Sequence, residues 1–202
     1  MLLRILSELK LVYTVLFVSL ISLNLLYAQD RFDVIATSVL GDLNSDSISD
    51  LVLVKMDTST SNKVYKLEVF LKDSSGNLKQ IVESTNPIIY PILGWNNIVA
   101  DRMSTVSIEN GVLWLNVELI RGFYKHGFKL KNNQFELINY VYTNSDGLSK
   151  ITSIDFNLLT GVRNIEVVDY TNDKTISKQT DTIRIKPLPT LKEFKPLQNE
   201  WY

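Results

Sequence analysis

A chain of 202 residues with 21 basic and 22 acidic side chains and a formal net charge of −1 presents no electrostatic case for nucleic acid or for an anionic membrane surface. It has no cysteine, which excludes disulfides, thiolate metal sites and a lipid anchor built on a cysteine. Its length is sufficient for one domain with its own apolar core. At the start, Arg4 and Lys10 give a weakly basic segment, and Leu11 to Leu26 is almost entirely apolar, broken by Thr14, Ser19, Ser22 and Asn24. Ala28 then places a small residue before the polar Gln29 and Asp30. Residues 1–28 therefore read as an export signal cut after Ala28. Leu26 is larger than the usual cleavage pattern prefers, so an uncleaved N-terminal anchor is the alternative. Either reading places the remainder in the periplasm, at the outer envelope or in the medium, with no membrane contact beyond that first segment.

Period-two alternation and β-branched residues dominate after Asp30, and this predicts strands. Phe32 to Leu40 is a first strand and Leu51 to Met56 a second, followed by a polar turn over Asp57 to Asn62. In Val64 to Leu71, residues Tyr65, Leu67 and Val69 fall on one face and Lys66, Glu68 and Phe70 on the other. Asp73 to Asn77 is a turn, and Leu78 to Val82 returns the chain, so residues 33–83 form a meander. Residues 84–103, with Pro87, Pro91 and Gly94, are irregular. Their apolar content (Ile88, Ile89, Tyr90, Ile92, Leu93, Trp95) predicts a packed crossover rather than an open functional loop.

A second meander spans 104–186. Asn110-Gly111 between Val106–Glu109 and Val112–Leu119 suits the positive φ of a primed hairpin turn. Strands follow over Phe123–Leu130, Phe135–Tyr142, Ile151–Phe156, Val162–Val168 and Thr182–Lys186. The tail, 187–202, is punctuated by proline; Leu188, Leu191 and Phe194 can pin it to the body, and Pro196 blocks a long helix. The expected fold class is all-β: antiparallel meanders and hairpins in one domain over 29–202, sandwich-like or a small incomplete propeller, with very little helix.

One loop has an identifiable chemistry. In Gly41 to Asp50, oxygen-bearing side chains recur at alternate positions, Asp42, Asn44 and Asp46, with Ile48 and then Asp50 following at the same spacing. Side chains at positions one, three and five, a carbonyl at seven and a carboxylate at nine are a donor pattern for Ca²⁺, which takes six to eight hard oxygens at about 2.3–2.6 Å. An EF-hand fits poorly, because its twelfth position wants a bidentate Glu and Leu53 stands there, inside a strand. Asp, Asn and Ser also satisfy their own backbone in tight turns, so a turn without metal is the competing reading.

These residues, Gly41-Asp42-Leu43-Asn44, Asp46 and Asp50-Leu51-Val52-Leu53-Val54, resemble the FG-GAP/VCBS-type motif D-x-[DN]-x-D-G-x-x-D followed by an apolar strand. The resemblance implies a structural Ca²⁺ held by Asp42, Asn44, Asp46 and Asp50 through side chains and by Ile48 through its carbonyl. Ser47 stands where the motif has Gly, a position that wants φ > 0 and costs a non-glycine residue about 1 kcal/mol or more. A single copy is present, since Asn144-Ser145-Asp146-Gly147 is too short to be a second, and a propeller of such repeats is not expected. More widely, the order of these segments is similar to a group of exported bacterial proteins carrying one such loop ahead of a β-rich body, with no established activity.

His126, the sole histidine, lies among aromatic residues in Tyr124 to Phe128. A general base is conceivable there, but a histidine packed in a strand is favoured because no nucleophile-elbow Ser or Cys accompanies it. The pairs Glu118 with Glu136 and Asp155 with Glu166 would suit a glycosidase if they met in a cleft. Trp114 reads as sheet packing, while Trp95 and Trp201 are better placed to touch a ligand, with burial the favoured reading for Trp95. The function expected is an exported, non-catalytic protein or binding module with one structural Ca²⁺ and an unidentified envelope protein or glycan as partner. The alternatives are an envelope hydrolase using a carboxylate pair, and an adhesion or inhibitor protein acting through a sheet edge.

Overall fold

A computed structural model describes residues 31–59, 64–88 and 105–196. Residues 1–30, which include the predicted export signal, most of the crossover including Trp95, and the last residues including Trp201 lie outside the described residues. From Phe32 onward the chain forms one compact unit.

The first meander is a four-stranded antiparallel sheet of β1 (Val34–Gly41), β2 (Asp50–Asp57), β3 (Val64–Lys72) and β4 (Leu78–Ser84), in sequence order. The second is a continuous seven-stranded antiparallel sheet. It runs from β5 (Thr105–Glu109), β6 (Val112–Leu119) and β7 (Gly122–Lys131) through β8 (Gln134–Ser145), β9 (Lys150–Asn157) and β10 (Val162–Asp169) to β11 (Lys174–Thr182). The fold is all-β, and no helix occurs among the described residues. An unbroken sheet of seven strands is not the four-stranded blade that a propeller repeats, so two sheets around one core is the better description.

Hairpin chemistry fixes the registers. Asn110 and Gly111 take φ of 53° and 73°, and Asn132 and Asn133 take 50° and 61°. Positive φ at both central residues is what a primed two-residue turn needs to match the strand twist, and Asn tolerates it. Registers so set bring Leu115, His126, Tyr140 and Phe156 side by side across β6, β7, β8 and β9. In the first sheet, Val52 faces Val69 and Val54 faces Leu67. These residues form one buried cluster with Leu113, Phe128, Phe135 and Leu137, joined by Leu191 and Phe194 from the tail. Each fully buried side chain of this size contributes about 1.5–3 kcal/mol relative to exposure.

The predicted strand over Thr182–Lys186 is not formed; the last strand is β11, Lys174–Thr182. The physical reason is its place at the open edge of the sheet, where all its residues except Asp181 are exposed. A strand wetted on both faces has no apolar alternation to read, and only its β-branched Thr175, Ile176, Thr180 and Thr182 mark it. Lys174 and Lys178 on this edge oppose pairing with another chain. Trp114 lies on the sheet face opposite Leu113 and Leu115, its six-membered ring against Gly127, where an added Cβ would sit 2.9 Å from Cη2 and Cζ3.

Candidate functional site

The acidic loop joins β1 to β2, and its conformation follows from one carboxylate. Asp42 Oδ1 accepts hydrogen bonds from the amides of Asn44 at 3.2 Å, Ser45 at 2.7 Å and Asp46 at 3.3 Å, while Oδ2 accepts from Ser47 at 2.8 Å. The Ser47 amide first, with those of Ser45, Asn44 and Asp46, holds the Asp42 carboxyl below the usual range against the opposing effect of desolvation, which is second only to the Ser47 bond. Ser45 and Ser47 take φ of 67° and 68°. Ser47 therefore adopts the conformation for which the motif supplies glycine, and the Asp42 hub offsets the local cost.

The remaining donors divide into two groups. Asn44 Nδ2 donates to Asp46 Oδ2 at 2.8 Å, the Asp46 amide to Asn44 Oδ1 at 3.0 Å, and the Ile48 amide to Asp46 Oδ1 at 2.8 Å. These two side chains are exposed and lie against each other at the mouth of the loop. Asp50 is different: it is 0 % exposed. Its Oδ2 accepts from the Leu43 amide at 2.8 Å and its Oδ1 from the Lys72 amide at 2.9 Å. Asp50 thus ties the start of the loop to the end of β3. The hairpin turn of β5 and β6 closes one flank, since a Cβ at Gly111 would lie 3.8 Å from the Asp42 carbonyl oxygen and 3.9 Å from Ser45 Oγ.

As a test of fit for Ca²⁺, Asp42, Asn44 and Asp46 supply hard oxygens within one loop; Asp42 Oδ2, Asn44 Oδ1 and both Asp46 oxygens accept one bond each and retain a lone pair, whereas Asp42 Oδ1 is already taken by three amides. Asn44 presents its NH₂ to Asp46 and would have to turn its oxygen inward to serve as a ligand. Asp50 is directed into the fold, and among the described residues no three His, Cys, Asp or Glu side chains gather as a metal's ligands would. The fit is good for the loop mouth and incomplete at Asp50.

The same device recurs in other turns among the described residues. Asp73 accepts the amides of Ser75 and Asn77, and Asp146 those of Leu148, Ser149 and Lys150. Asp169 accepts the amide and hydroxyl of Thr171. Their carboxyls are also held low, chiefly by the Asn77 side chain, the Lys150 amide and the Thr171 hydroxyl respectively. The Asp42 loop is set apart from these turns by its alternate oxygens and its closure through Asp50.

Elsewhere the candidate residues resolve as follows. His126 is 1 % exposed, in the core between Tyr124, Tyr140 and Phe194. Glu118 faces Phe123 and Glu136 faces Lys129 across β7, so six residues of strand, about 20 Å, separate them. Asp155 and Glu166 do share a sheet face, diagonally across β9 and β10, beside a cavity of about 360 Å³. Lys178 lies 3.0 Å from Glu166 and Thr175 donates to it. The Lys178 contact, with that from Thr175, holds the Glu166 carboxyl low, the opposite of the raised value a glycosidase acid requires. Sequence reading missed Asp50 as a clasp and Glu68 as a buried ion. In both cases the signal was faint: an Asp opening an apolar strand, and a Glu between two core residues.

Compared with protein-family models, curated proteins and solved structures, the chain matches none of them.

Proposed function

We propose that this chain is an exported, non-catalytic β protein whose Asp42–Asp50 loop binds one structural Ca²⁺. The donors are Asp42, Asn44 and Asp46, with the Ile48 carbonyl and Asp50 completing the set that the motif implies. One observation carries the reading: three oxygen side chains at alternate positions line a loop already bent, at Ser47, as a calcium loop must be. A bound dication would supply the charge that lets Asp42 and Asp46 sit close together. The chain's own residues hold the loop in shape beforehand, which lowers the ordering cost of binding.

The test is thermal unfolding in millimolar calcium and in chelator. A metal binding only the folded form contributes about 2.7 kcal/mol at one hundred times its Kd, which raises Tm by roughly 5–11 °C for a domain of this size. Asp46→Ala is expected to remove that difference while leaving the melting temperature in chelator within about 2–4 °C of the parent, because Asp46 is exposed. Superimposed curves for the parent protein in the two buffers would sink the calcium reading and leave a self-sufficient turn.

A further inference from the structure

The tail after β11 packs as a strap over the one buried histidine. Thr190 bridges to Glu136 of β8, the Leu137 amide donates to the Pro189 carbonyl at 2.9 Å, and the Leu191 amide to that of Phe135 at 2.8 Å. Ser84 Oγ of β4 donates to the Lys192 carbonyl at 2.9 Å. The strap then makes a single turn, in which the Phe194 amide donates to the Thr190 carbonyl. Leu191 and Phe194 enter the core at 1 % and 2 % exposure. The Phe194 ring stands edge-on to His126, centroids 4.7 Å apart, and to Phe128 at 5.1 Å. Tyr140 and Tyr124 lie 5.2 Å and 5.4 Å from the imidazole.

We propose that residues 187–196 form an acid-released strap: protonation of His126 expels Phe194 and frees the segment, while the two sheets stay folded. The geometry favours this part of the fold over any other. The strap lies outside both sheets and is fastened by a few bonds and the apolar side chains of Leu188, Leu191, Phe194 and Pro196, whereas His126 itself is on an interior strand. Its removal uncovers the imidazole and opens the space of about 660 Å³ between the strap, Ile81 and Val82 of β4, and the turn joining β7 to β8.

The titratable groups around the imidazole are the phenols of Tyr124 and Tyr140, with Tyr65 in the same core. Lys192, Glu193 and Lys195 on the strap are exposed. Arg163 continues the same row two strands beyond Tyr140 and is paired with Asp181. Desolvation holds the imidazole neutral, depressing its pKa from 6.5 to about 3 in the closed state. Water reaching it in the open state returns that value toward 6.5. Because the closed value is the lower one, closure is fully favoured above pH 6.5 and weakens as pH falls toward 3. The opening constant rises by up to tenfold per pH unit across that interval.

Hydrogen exchange on the full chain tests this, with rates corrected for their intrinsic pH dependence. Protection at the amides of Leu137 and Leu191 is expected to fall about tenfold per pH unit between 6 and 4. It should do so through an opening far more populated than the one that exposes Leu67 and Val69 in β3. In His126→Phe that slope should vanish. Strap amides exchanging only as fast as those of β3, or a slope that persists in the variant, would overturn the proposal. Should His126→Phe fail to fold, Phe194→Ala supplies an independent reading, since the single histidine gives one imidazole proton set in NMR. Its midpoint should move up toward 6.5 in Phe194→Ala, and an unchanged midpoint counts against the strap.

Discussion

Asp50→Ala is expected to cost about 3–5 kcal/mol of unfolding free energy in urea titration in chelator, and more in calcium, where it also removes one of the proposed ligands. The carboxylate is wholly buried and accepts one backbone amide on each oxygen, Leu43 from the loop and Lys72 from β3. Hydrogen bonds to a charged acceptor contribute about 1.5–3 kcal/mol each, and alanine leaves both amides without that acceptor. Asp50→Asn keeps one oxygen but turns an NH₂ toward the other donor, so about half the loss is expected. Comparison with Asp46→Ala separates two roles within nine residues. Loss of the exposed mouth residue should remove calcium dependence with little change in chelator, whereas loss of the clasp should lower stability under both conditions. Equal and small effects from the two substitutions would show that Asp50 fastens nothing.

The contrast between these aspartates marks how far the sequence could be read. Alternation in Tyr65 to Val69 identified the core face of β3, because strands with one dry side must keep apolar residues in step. Asn110-Gly111 marked a hairpin end, because few residues tolerate positive φ there. β11 was not legible: solvent covers both of its faces and leaves no pattern to detect. The loop was legible as a donor spacing, but not in the assignment of each oxygen. Asp42, Asp46 and Asp50 are the same residue type, and only the fold decides that one is a hub, one lies exposed and one is buried against β3. Nor does a lone histidine between Lys125 and Gly127 announce that a residue nearly seventy positions later covers it. That contact depends on how the tail crosses the finished sheet.

Glu68→Ala is the second large effect expected, at about 2–4 kcal/mol near neutral pH. Glu68 lies between Leu67 and Val69 and therefore points to the outer face of the four-stranded sheet, yet only 4 % of it is exposed. Lys55 Nζ approaches one carboxylate oxygen at 2.7 Å and Lys66 Nζ the other at 2.8 Å. The Phe32 ring lies 4.8 Å from the Lys66 ammonium. Desolvation raises the carboxyl pKa, but the two ammonium groups outweigh it and hold it below the ordinary value. Its contribution is thus present above the unfolded value near 4.5 and is lost as pH falls. Removing the carboxylate leaves two half-buried cations side by side with no counter-charge between them. The penalty of an orphaned buried charge is about 3–5 kcal/mol, reduced here because both lysines keep some contact with water. Replacing all three together, Lys55→Met, Glu68→Leu and Lys66→Met, should restore stability to within about 1–2 kcal/mol of the parent, since no ion is then desolvated. If the triple substitution is as damaging as Glu68→Ala alone, the packing of the stems rather than their charges holds this face. Identical urea midpoints for Glu68→Ala and the parent at pH 7 would instead mean that water reaches the triad freely.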